Sequence, residues 1–499
     1  MRQYLPTMDA AVVPKARSAT HLDYGFLKKV FLVVGIVLTV ASPFARDPVA
    51  FAVGGFVPWL LMMIIGRPTM PAAIALLVLW QWAQVYAREL QTLADGEALG
   101  GSIFGPNVER AYWYMLASIL TLALTMRVTL GRLRSPTPQA STAHERWQPR
   151  DLVLLYAATL PLSVGARFVG SLSGALGQPM QALINLKGLA LFLLFTNVLA
   201  TGRGRKALIF ILLFETGSGF TGLFADFKTP FLMLAVAALA ARIRWTIALS
   251  AASVVWLAAL MALAIFWTAV KMDFRQFATG SDDSQSIQVS LADRMSYLGN
   301  RVLSVGSIDW GESAYTLLTR FAYVDITGSV ITVQEAQPEP IPLRQWGEAL
   351  SHVLQPRFLF PDKPPLSDSE VYIRLARGDP ADIRAGTSIS VGYIGENFVD
   401  LGFPGMLAGI LALGLTMGLL YRYFMTRNLP WMMREGTVLV VVYSSTQGGV
   451  ETSLPKLLGA AVMVAAVYVV LVRFVYPRVL AWLDRPTGGR WVAVQRLRA

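Results

Sequence analysis

The residues best suited to chemistry lie in one polar segment, Lys271 to Leu401, that interrupts a largely apolar chain. This segment holds nine arginines and two lysines. A guanidinium binds two phosphate oxygens at once, whereas a lysine acts as a point charge. The balance favours capture of an anionic, membrane-tethered headgroup such as a lipid pyrophosphate. For any single arginine, an ion pair with an acid of the same segment is the alternative.

Arg357 and Lys363 lie in the stiffest part of this segment, which runs from Pro356 to Pro365 and contains four prolines. Proline fixes its own φ and restricts the residue before it, so the stretch is rigid enough to aim a side chain. We therefore predict that Arg357 is aimed at such an anionic headgroup.

Two residues are candidates for a general base. Glu396 lies among glycines where the polar segment returns to the apolar part, and desolvation there would raise its pKa toward the working range. His352 is the alternative, since the pKa of histidine is near neutral. A capping or salt-bridge role for Glu396 and an incidental surface position for His352 remain open. Asp362, Asp368 and Glu370 match no calcium-loop spacing, so we predict no metal site.

Further ionisable residues fall inside apolar segments. Arg167, Lys187 and Lys228 each lie near the outer end of a predicted span, and Glu215 lies in the middle of one. Charged residues at membrane depth are costly and often mark a site. Three cations at one depth on neighbouring spans predict a positively charged ring beneath the polar segment. Long side chains that reach up to the interface, and a hydrogen bond from Glu215 to a neighbouring helix, are the alternatives.

The elements that position these residues are predicted membrane spans. Of the 499 residues, 55% are hydrophobic and 15% are charged, a composition typical of an integral membrane protein. Apolar stretches of spanning length predict an all-α polytopic protein with about 12 transmembrane helices. We place the spans near 30–45, 48–66, 69–87, 110–130, 151–172, 182–200, 207–223, 229–243, 246–270, 403–424, 436–451 and 456–476.

Loop charges set the predicted topology. The short basic loops all fall on one side of the twelve spans, which places both termini in the cytoplasm and the large polar segment outside. The predicted organisation has five parts: a cytoplasmic tail (1–29), spans 1 to 9 (30–270), a large periplasmic loop domain (271–402), spans 10 to 12 (403–476) and a basic cytoplasmic tail (477–499).

Composition also excludes several functions. The chain has no cysteine, which rules out disulfides, thiolate metal sites and a cysteine nucleophile. With three histidines, a multi-histidine metal centre is not expected. The net charge of +12 arises in loops between spans, so it indicates topology and not nucleic-acid binding.

Two motifs carry a resemblance to a known family. The segment from Pro356 to Pro364 (PRFLFPDKP), followed by Gly395 to Gly405 (GENFVDLGFPG), resembles the Wzy-type oligosaccharide repeat-unit polymerases. The segment Asp226 to Leu232 (DFKTPFL) is similar to that family's basic residue at the start of a middle span. That residue is often arginine in the family, so Lys228 is a conservative departure. The resemblance covers about Ala225 to Gly405 and the overall topology.

The resemblance implies a bacterial inner-membrane glycosyltransferase. It would join oligosaccharide repeat units carried on undecaprenyl pyrophosphate into exopolysaccharide or O-antigen, on the periplasmic face. No nucleotide sugar and no obligatory metal or other cofactor would be needed, and the pathway's flippase and chain-length regulator would be partners. Arg357, Lys363 and Lys228, with Arg167, would hold the departing pyrophosphate, and Glu396 would activate the acceptor. Two alternatives remain: an O-antigen-ligase-like transferase, which would use His352, and a transporter or flippase of the same lipid-linked sugars.

Overall fold

The protein is described by a computed structural model over residues 20–131, 133, 146–172, 176–222, 226–280, 287–357, 359–360, 362–363, 366–378 and 389–485. No strand forms in these ranges, and the single β bridge within them joins His21 to Arg244. Several positions named above lie outside the described residues: Ala225, Phe358, Pro361, Pro364, Pro365 and the outer parts of both tails, 1–19 and 486–499.

The described helices are numbered in chain order. The first ten are α1 (Tyr24–Ala41), α2 (Pro48–Ile65), α3 (Ala72–Asp95), α4 (Asn107–Leu130), α5 (Pro149–Leu172), α6 (Gly177–Ile184), α7 (Leu186–Thr201), α8 (Arg205–Gly219), α9 (Thr229–Ala240) and α10 (Ile247–Thr279). The polar segment adds α11 (Leu291–Leu303), α12 (Trp310–Phe321), α13 (Val324–Ala336), α14 (Arg344–Leu354) and α15 (Asp368–Ala376). The chain then forms α16 (Gly392–Met425), α17 (Trp431–Thr446), α18 (Leu454–Val470) and α19 (Tyr476–Leu483).

The described part of the chain contains eight helical segments long and apolar enough to cross a membrane. They are α1, α2, α4, α5, α6 with α7, α10, α16, and α18 with α19. The prediction of an all-α membrane protein is therefore confirmed. The other four predicted spans fall on α3, which carries polar residues, and on the shorter helices α8, α9 and α17.

The core of the bundle is formed by α2, α3, α4, α7, α16, α17 and α18. Small residues allow its tightest contact, between α4 and α16. A Cβ at Gly418 would lie 2.0 Å from the Thr129 hydroxyl oxygen, and a Cβ at Gly414 would lie 2.9 Å from the Thr125 Cβ. Such small-residue faces let helices approach closely where both neighbours are as apolar as the lipid.

The polar segment is fixed to the bundle by buried charge. Arg88 of α3 lies 3.1 Å from Asp325 of α13, and the two side chains are 3% and 12% exposed. The Ser102 hydroxyl also donates to Asp325 at 3.0 Å. A buried pair of this kind is costly to break because the remaining charge is left uncompensated. Helix α13 is thus held on α3 and α4.

Helix α14 is fixed at both ends. The Asp400 carboxylate accepts hydrogen bonds from the Gln345 and Trp346 backbone N–H groups at its start, at 3.1 and 2.8 Å. The Lys363 ammonium donates to the His352 and Gln355 carbonyls at its end, at 2.7 and 2.9 Å. These contacts satisfy backbone groups that a helix cannot pair internally. Both ends of α14 are therefore held by residues outside it.

Helix α10 differs from the other spans. Its 33 residues extend about 50 Å, well beyond the roughly 30 Å of a hydrocarbon core. Only 6% of its most apolar 18-residue stretch is buried inside the protein. The buried residues lie in its C-terminal half, where Phe266, Trp267 and Phe274 join a second apolar cluster with Phe227 and Leu298. Helix α10 is thus anchored near its C-terminal end, where α11 and α12 pack on it.

Candidate anion-binding site

Arg320 is the charge common to two groups: two cations on α10, and Lys228 with the Glu451 carboxylate. Arg320 at the end of α12 lies within electrostatic range of Lys271 and Arg275 on α10. Lys228 and Arg320 both act on Glu451, in the turn between α17 and α18. Lys228 and Arg320 are exposed, and Lys271 and Arg275 are half-buried. We call Lys228, Lys271, Arg275, Arg320 and Glu451 the cationic cluster.

Local sequence explains how each cation reaches the cluster. Lys228 precedes α9, and its ammonium lies 5.4 Å from the Trp80 ring centroid, a cation–π contact. The same Trp80 ring packs edge-on against Phe321 at 5.1 Å, which holds the end of α12, and therefore Arg320, beside α3. Lys271 and Arg275 are four residues apart and so share one face of α10. The aromatic contacts thus bring α9 and α12 to the same part of α3.

The turn that carries Glu451 is fixed from two sides. On α3, the Gln84 side-chain amide donates to the Gly448 carbonyl at 3.0 Å, and its carbonyl accepts from the Val450 N–H at 2.9 Å. On α16, the Tyr393 N–H donates to the Thr452 carbonyl at 2.8 Å. Backbone groups thus determine where the Glu451 carboxylate lies.

Glu451 experiences two opposing effects. Burial raises the pKa of its carboxyl above the ordinary value, and Lys228 and Arg320 act in the opposite direction. A carboxylate with a raised pKa is a stronger base once it is ionised. The cluster therefore combines an excess of positive charge with one group able to accept a proton.

Glu396, predicted as the general base, is 2% exposed. Its carboxylate accepts a hydrogen bond from the Leu454 N–H at 2.6 Å, at the first residue of α18. Carboxylates are favoured there because the N-terminus of a helix carries partial positive charge. The bond also fixes the end of the turn that holds Glu451. In this structure Glu396 occupies a capping position.

His352, the alternative base, is 8% exposed on α14. Its Nε2 lies 3.2 Å from the Gln178 side-chain amide, and its Nδ1 is buried and makes no hydrogen bond within the described residues. Burial, with Lys363 and Arg357 nearby, lowers the pKa of the imidazole to about 4. His352 is therefore neutral at physiological pH.

The predicted pyrophosphate ligands have different surroundings. Lys363 and Arg357 lie near His352, where Lys363 caps α14, and burial with Arg357 nearby lowers the pKa of Lys363. Arg167 is exposed on α5. Of the four residues predicted to bind pyrophosphate, Lys228 belongs to the cationic cluster.

The mid-span acid predicted as a possible site is paired. Glu215 is buried, and its carboxylate lies 2.7 Å from the Lys187 ammonium and accepts a hydrogen bond from the Tyr156 hydroxyl. This network joins α5, α7 and α8. Both candidate charges therefore have partners within the bundle.

Sequence reasoning missed most of the cationic cluster. Lys271 opens the predicted polar segment and Arg275 follows it by four residues, a helical spacing that was available as a signal. Arg320 was counted only as one of the nine arginines of the polar segment. Glu451 was assigned to the end of a span, and no sequence signal separates it from an ordinary turn residue.

One of the three acidic residues considered for metal binding has other partners. Asp368 lies 2.7 Å from the Lys456 ammonium and accepts a hydrogen bond from the Ser453 hydroxyl at 3.0 Å. Within the ranges that the structure describes, no group of three or more histidine, aspartate or glutamate residues is arranged to hold a metal ion.

The fold and this site define an all-α, polytopic membrane protein with a cationic cluster where its polar helices meet the bundle. Comparison with protein-family models, with curated proteins and with solved structures finds no match.

Proposed function

We propose that the protein is a membrane glycosyltransferase that polymerises oligosaccharide repeat units carried on undecaprenyl pyrophosphate. The observation that carries the proposal is the cationic cluster, in which Arg320 lies within electrostatic range of Lys271, of Arg275 and of the Glu451 carboxylate, on which Lys228 also acts. A pyrophosphate group bears several negative charges and needs such an excess of donors. The resemblance of the PRFLFPDKP and GENFVDLGFPG segments to Wzy-type polymerases supports the same substrate.

The proposed reaction uses these groups as follows. The carboxylate of Glu451 takes the proton of an acceptor hydroxyl on the incoming unit. The hydroxyl oxygen attacks the anomeric carbon of the growing chain, and the bond from that carbon to the pyrophosphate oxygen breaks. The electron pair passes to the pyrophosphate, whose developing charge Arg320, Lys271, Arg275 and Lys228 stabilise. No nucleotide sugar and no metal enters these steps.

In this mechanism Glu396 and His352 act indirectly. Glu396 caps α18 and so positions the turn that carries Glu451. His352 is neutral and buried, and packs next to Gly459 of α18. Lys363 supports α14 through its carbonyl contacts. Arg357 and Arg167 remain candidates for contacts with more distant parts of the substrate.

The proposed setting is a bacterial inner membrane. We infer twelve spans, with α3, α8, α9 and α17 completing the eight long apolar segments, and with both termini in the cytoplasm. The polar helices α11 to α15 and the cationic cluster would then face the periplasm. A flippase delivering the lipid-linked unit and a regulator of chain length would be partners there.

The test is a gel of surface polysaccharide and lipid-linked intermediates from cells that lack the protein. A polymerase is indicated by loss of the polymer ladder and accumulation of single lipid-linked units on the periplasmic side. Intact polymer left on its lipid would indicate a ligase, and single units held on the cytoplasmic side would indicate a flippase. Either result would refute the proposal.

Complementation then tests the site. Glu451→Gln and Arg320→Gln should fail to restore the ladder at equal protein level. The matched control is Glu335→Gln, which alters a carboxylate that is 49% exposed and paired with Arg110. Restoration of the full ladder by Glu451→Gln would remove this residue from the mechanism.

A further inference from the structure

A cavity of about 330 Å³ lies between α10, α11 and α12, beside the cationic cluster. Its size falls in the range of small-molecule sites, roughly 300–1,000 Å³. It is lined by the hydroxyl groups of threonine and serine, by two carboxylates and by one guanidinium, and only a few apolar side chains complete it. This lining sets the cavity apart from the apolar packing elsewhere in the bundle.

The polar side chains of α12 in this cavity are available to a ligand. Glu312, Ser313 and Thr316 line it, and within the described residues the side chains of these three make no hydrogen bond to the protein. Asp309, by contrast, caps α12 by accepting from the Glu312 N–H at 2.9 Å. One carboxylate and two hydroxyls therefore face the cavity without a protein partner.

The cavity and the cationic cluster are contiguous. On α12, Thr316 precedes Arg320 by four residues, and on α10 Thr268 precedes Lys271 by three, so each pair shares a helix face. Glu312 and Arg320 are eight residues apart, which is about 12 Å along the helix axis. A ligand whose anionic end is bound by Arg320 would place the group attached to that end near Glu312.

We propose that this cavity is a carbohydrate-binding subsite that holds one or two sugar rings adjoining the pyrophosphate. The inference rests on the proposed function for the identity of the anionic end. Sugar hydroxyls both donate and accept, which serine and threonine hydroxyls match. The Glu312 carboxylate accepts from sugar hydroxyls, and the Arg301 guanidinium, which is paired with Asp273 at 2.6 Å, donates at the opposite wall. Neutral, hydroxyl-rich ligands fit this lining better than lipid tails or peptides.

The experiment uses the full chain in lipid nanodiscs and two independent probes. Saturation-transfer NMR measures binding of soluble sugars: glucose, galactose, N-acetylglucosamine, glucuronate and oligosaccharide released by mild acid from lipid-linked units of the host cell. Calorimetry measures binding of inorganic pyrophosphate. The variants are Glu312→Gln, Thr316→Val and Arg320→Gln, with Glu335→Gln as the matched control for loss of a carboxylate.

We expect at least one sugar probe to bind the wild-type chain. Glu312→Gln and Thr316→Val should weaken it by about tenfold each, because a hydrogen bond to a ligand is lost in each case. Pyrophosphate binding should be unchanged in both. Arg320→Gln should weaken pyrophosphate binding and leave sugar binding unchanged. Glu335→Gln should change neither affinity.

Two results would overturn the subsite: no sugar probe bound by the wild-type chain, or sugar binding unaffected by Glu312→Gln and Thr316→Val. If pyrophosphate still binds in either case, the proposed function stands and only the subsite fails. If sugar binds in the cavity but pyrophosphate does not bind at all, the subsite stands and the proposed function fails.

Discussion

Arg320 offers the sharpest test of the cationic cluster. We expect Arg320→Gln to weaken binding of inorganic pyrophosphate. A hydrogen bond to a charged group contributes about 1.5–3 kcal/mol. Arg320 also repels Lys271 and Arg275, but that repulsion is present with and without the ligand, so it does not offset the loss of affinity. Because Arg320 is exposed, we take the lower part of the range, and a loss of about 1.5–2 kcal/mol corresponds to a roughly 10- to 30-fold weaker affinity.

The assay is calorimetry of the purified chain in nanodiscs at fixed, low ionic strength, because salt screens exposed charges. Arg320→Lys keeps the charge but loses the planar pair of donors, so we expect an intermediate affinity. The control is Arg110→Gln, which removes an arginine that is 45% exposed and paired with Glu335 at 2.6 Å. A thermal melt of each variant shows whether it is folded.

The reasoning is refuted if folded Arg320→Gln binds pyrophosphate as tightly as Arg110→Gln does. An equal loss in both variants would also count against it, since the effect would then follow net charge and not position. Loss confined to Arg320→Gln and partly restored in Arg320→Lys is the expected result.

Three further predictions concern pH and stability. Lys228→Ala removes a cation that lowers the pKa of Glu451. In the pH profile of the polymerisation rate, the decline on the acid side should therefore begin at higher pH. A profile that does not shift would exclude Glu451 as the titrating base. Asp325→Asn leaves Arg88 buried without its counter-charge, so the free energy of unfolding should fall by about 3–5 kcal/mol. The measurement is the melting temperature in detergent, which should fall. An unchanged melting temperature would contradict the buried ion pair. The pKa of His352 is lowered to about 4 in the folded chain, so on acidification the unfolded chain takes up this proton first. The free energy of unfolding should therefore fall by about 1 kcal/mol per pH unit between pH 6.5 and 4. His352→Gln should remove this slope, and a slope that persists in the variant would contradict its assignment to His352.

The sequence predicts the helical membrane architecture well, because span length and apolar composition are local properties. Each predicted span, from 30–45 to 456–476, falls on a described helix. The site is predicted less well because it depends on contacts between distant residues. Glu396 was recognised as a desolvated carboxylate, but only packing brings it to the start of α18. Arg320 and Glu451 are far apart in sequence, and no local pattern indicates that they meet.

Proline-rich rigidity does not by itself indicate which cations gather. The Lys363 ammonium, which the resemblance assigns to pyrophosphate, donates to two backbone carbonyls at the end of α14. Lys228, by contrast, is placed by an aromatic contact with Trp80 that spacing alone does not encode. Burial and ring packing, and not local stiffness, decide which charges face one another.

The attachment of α10 at one end separates its response to the bilayer from the cationic cluster. Only a small part of its apolar stretch is buried in the protein, and a long apolar helix adapts to a membrane by tilting. Lys271 and Arg275 lie in the attached part, where Phe274 packs in one apolar cluster with Phe227, the neighbour of Lys228. Tilting would therefore move mainly the N-terminal part of α10, so we expect the spacing of the cationic cluster to be insensitive to lipid chain length.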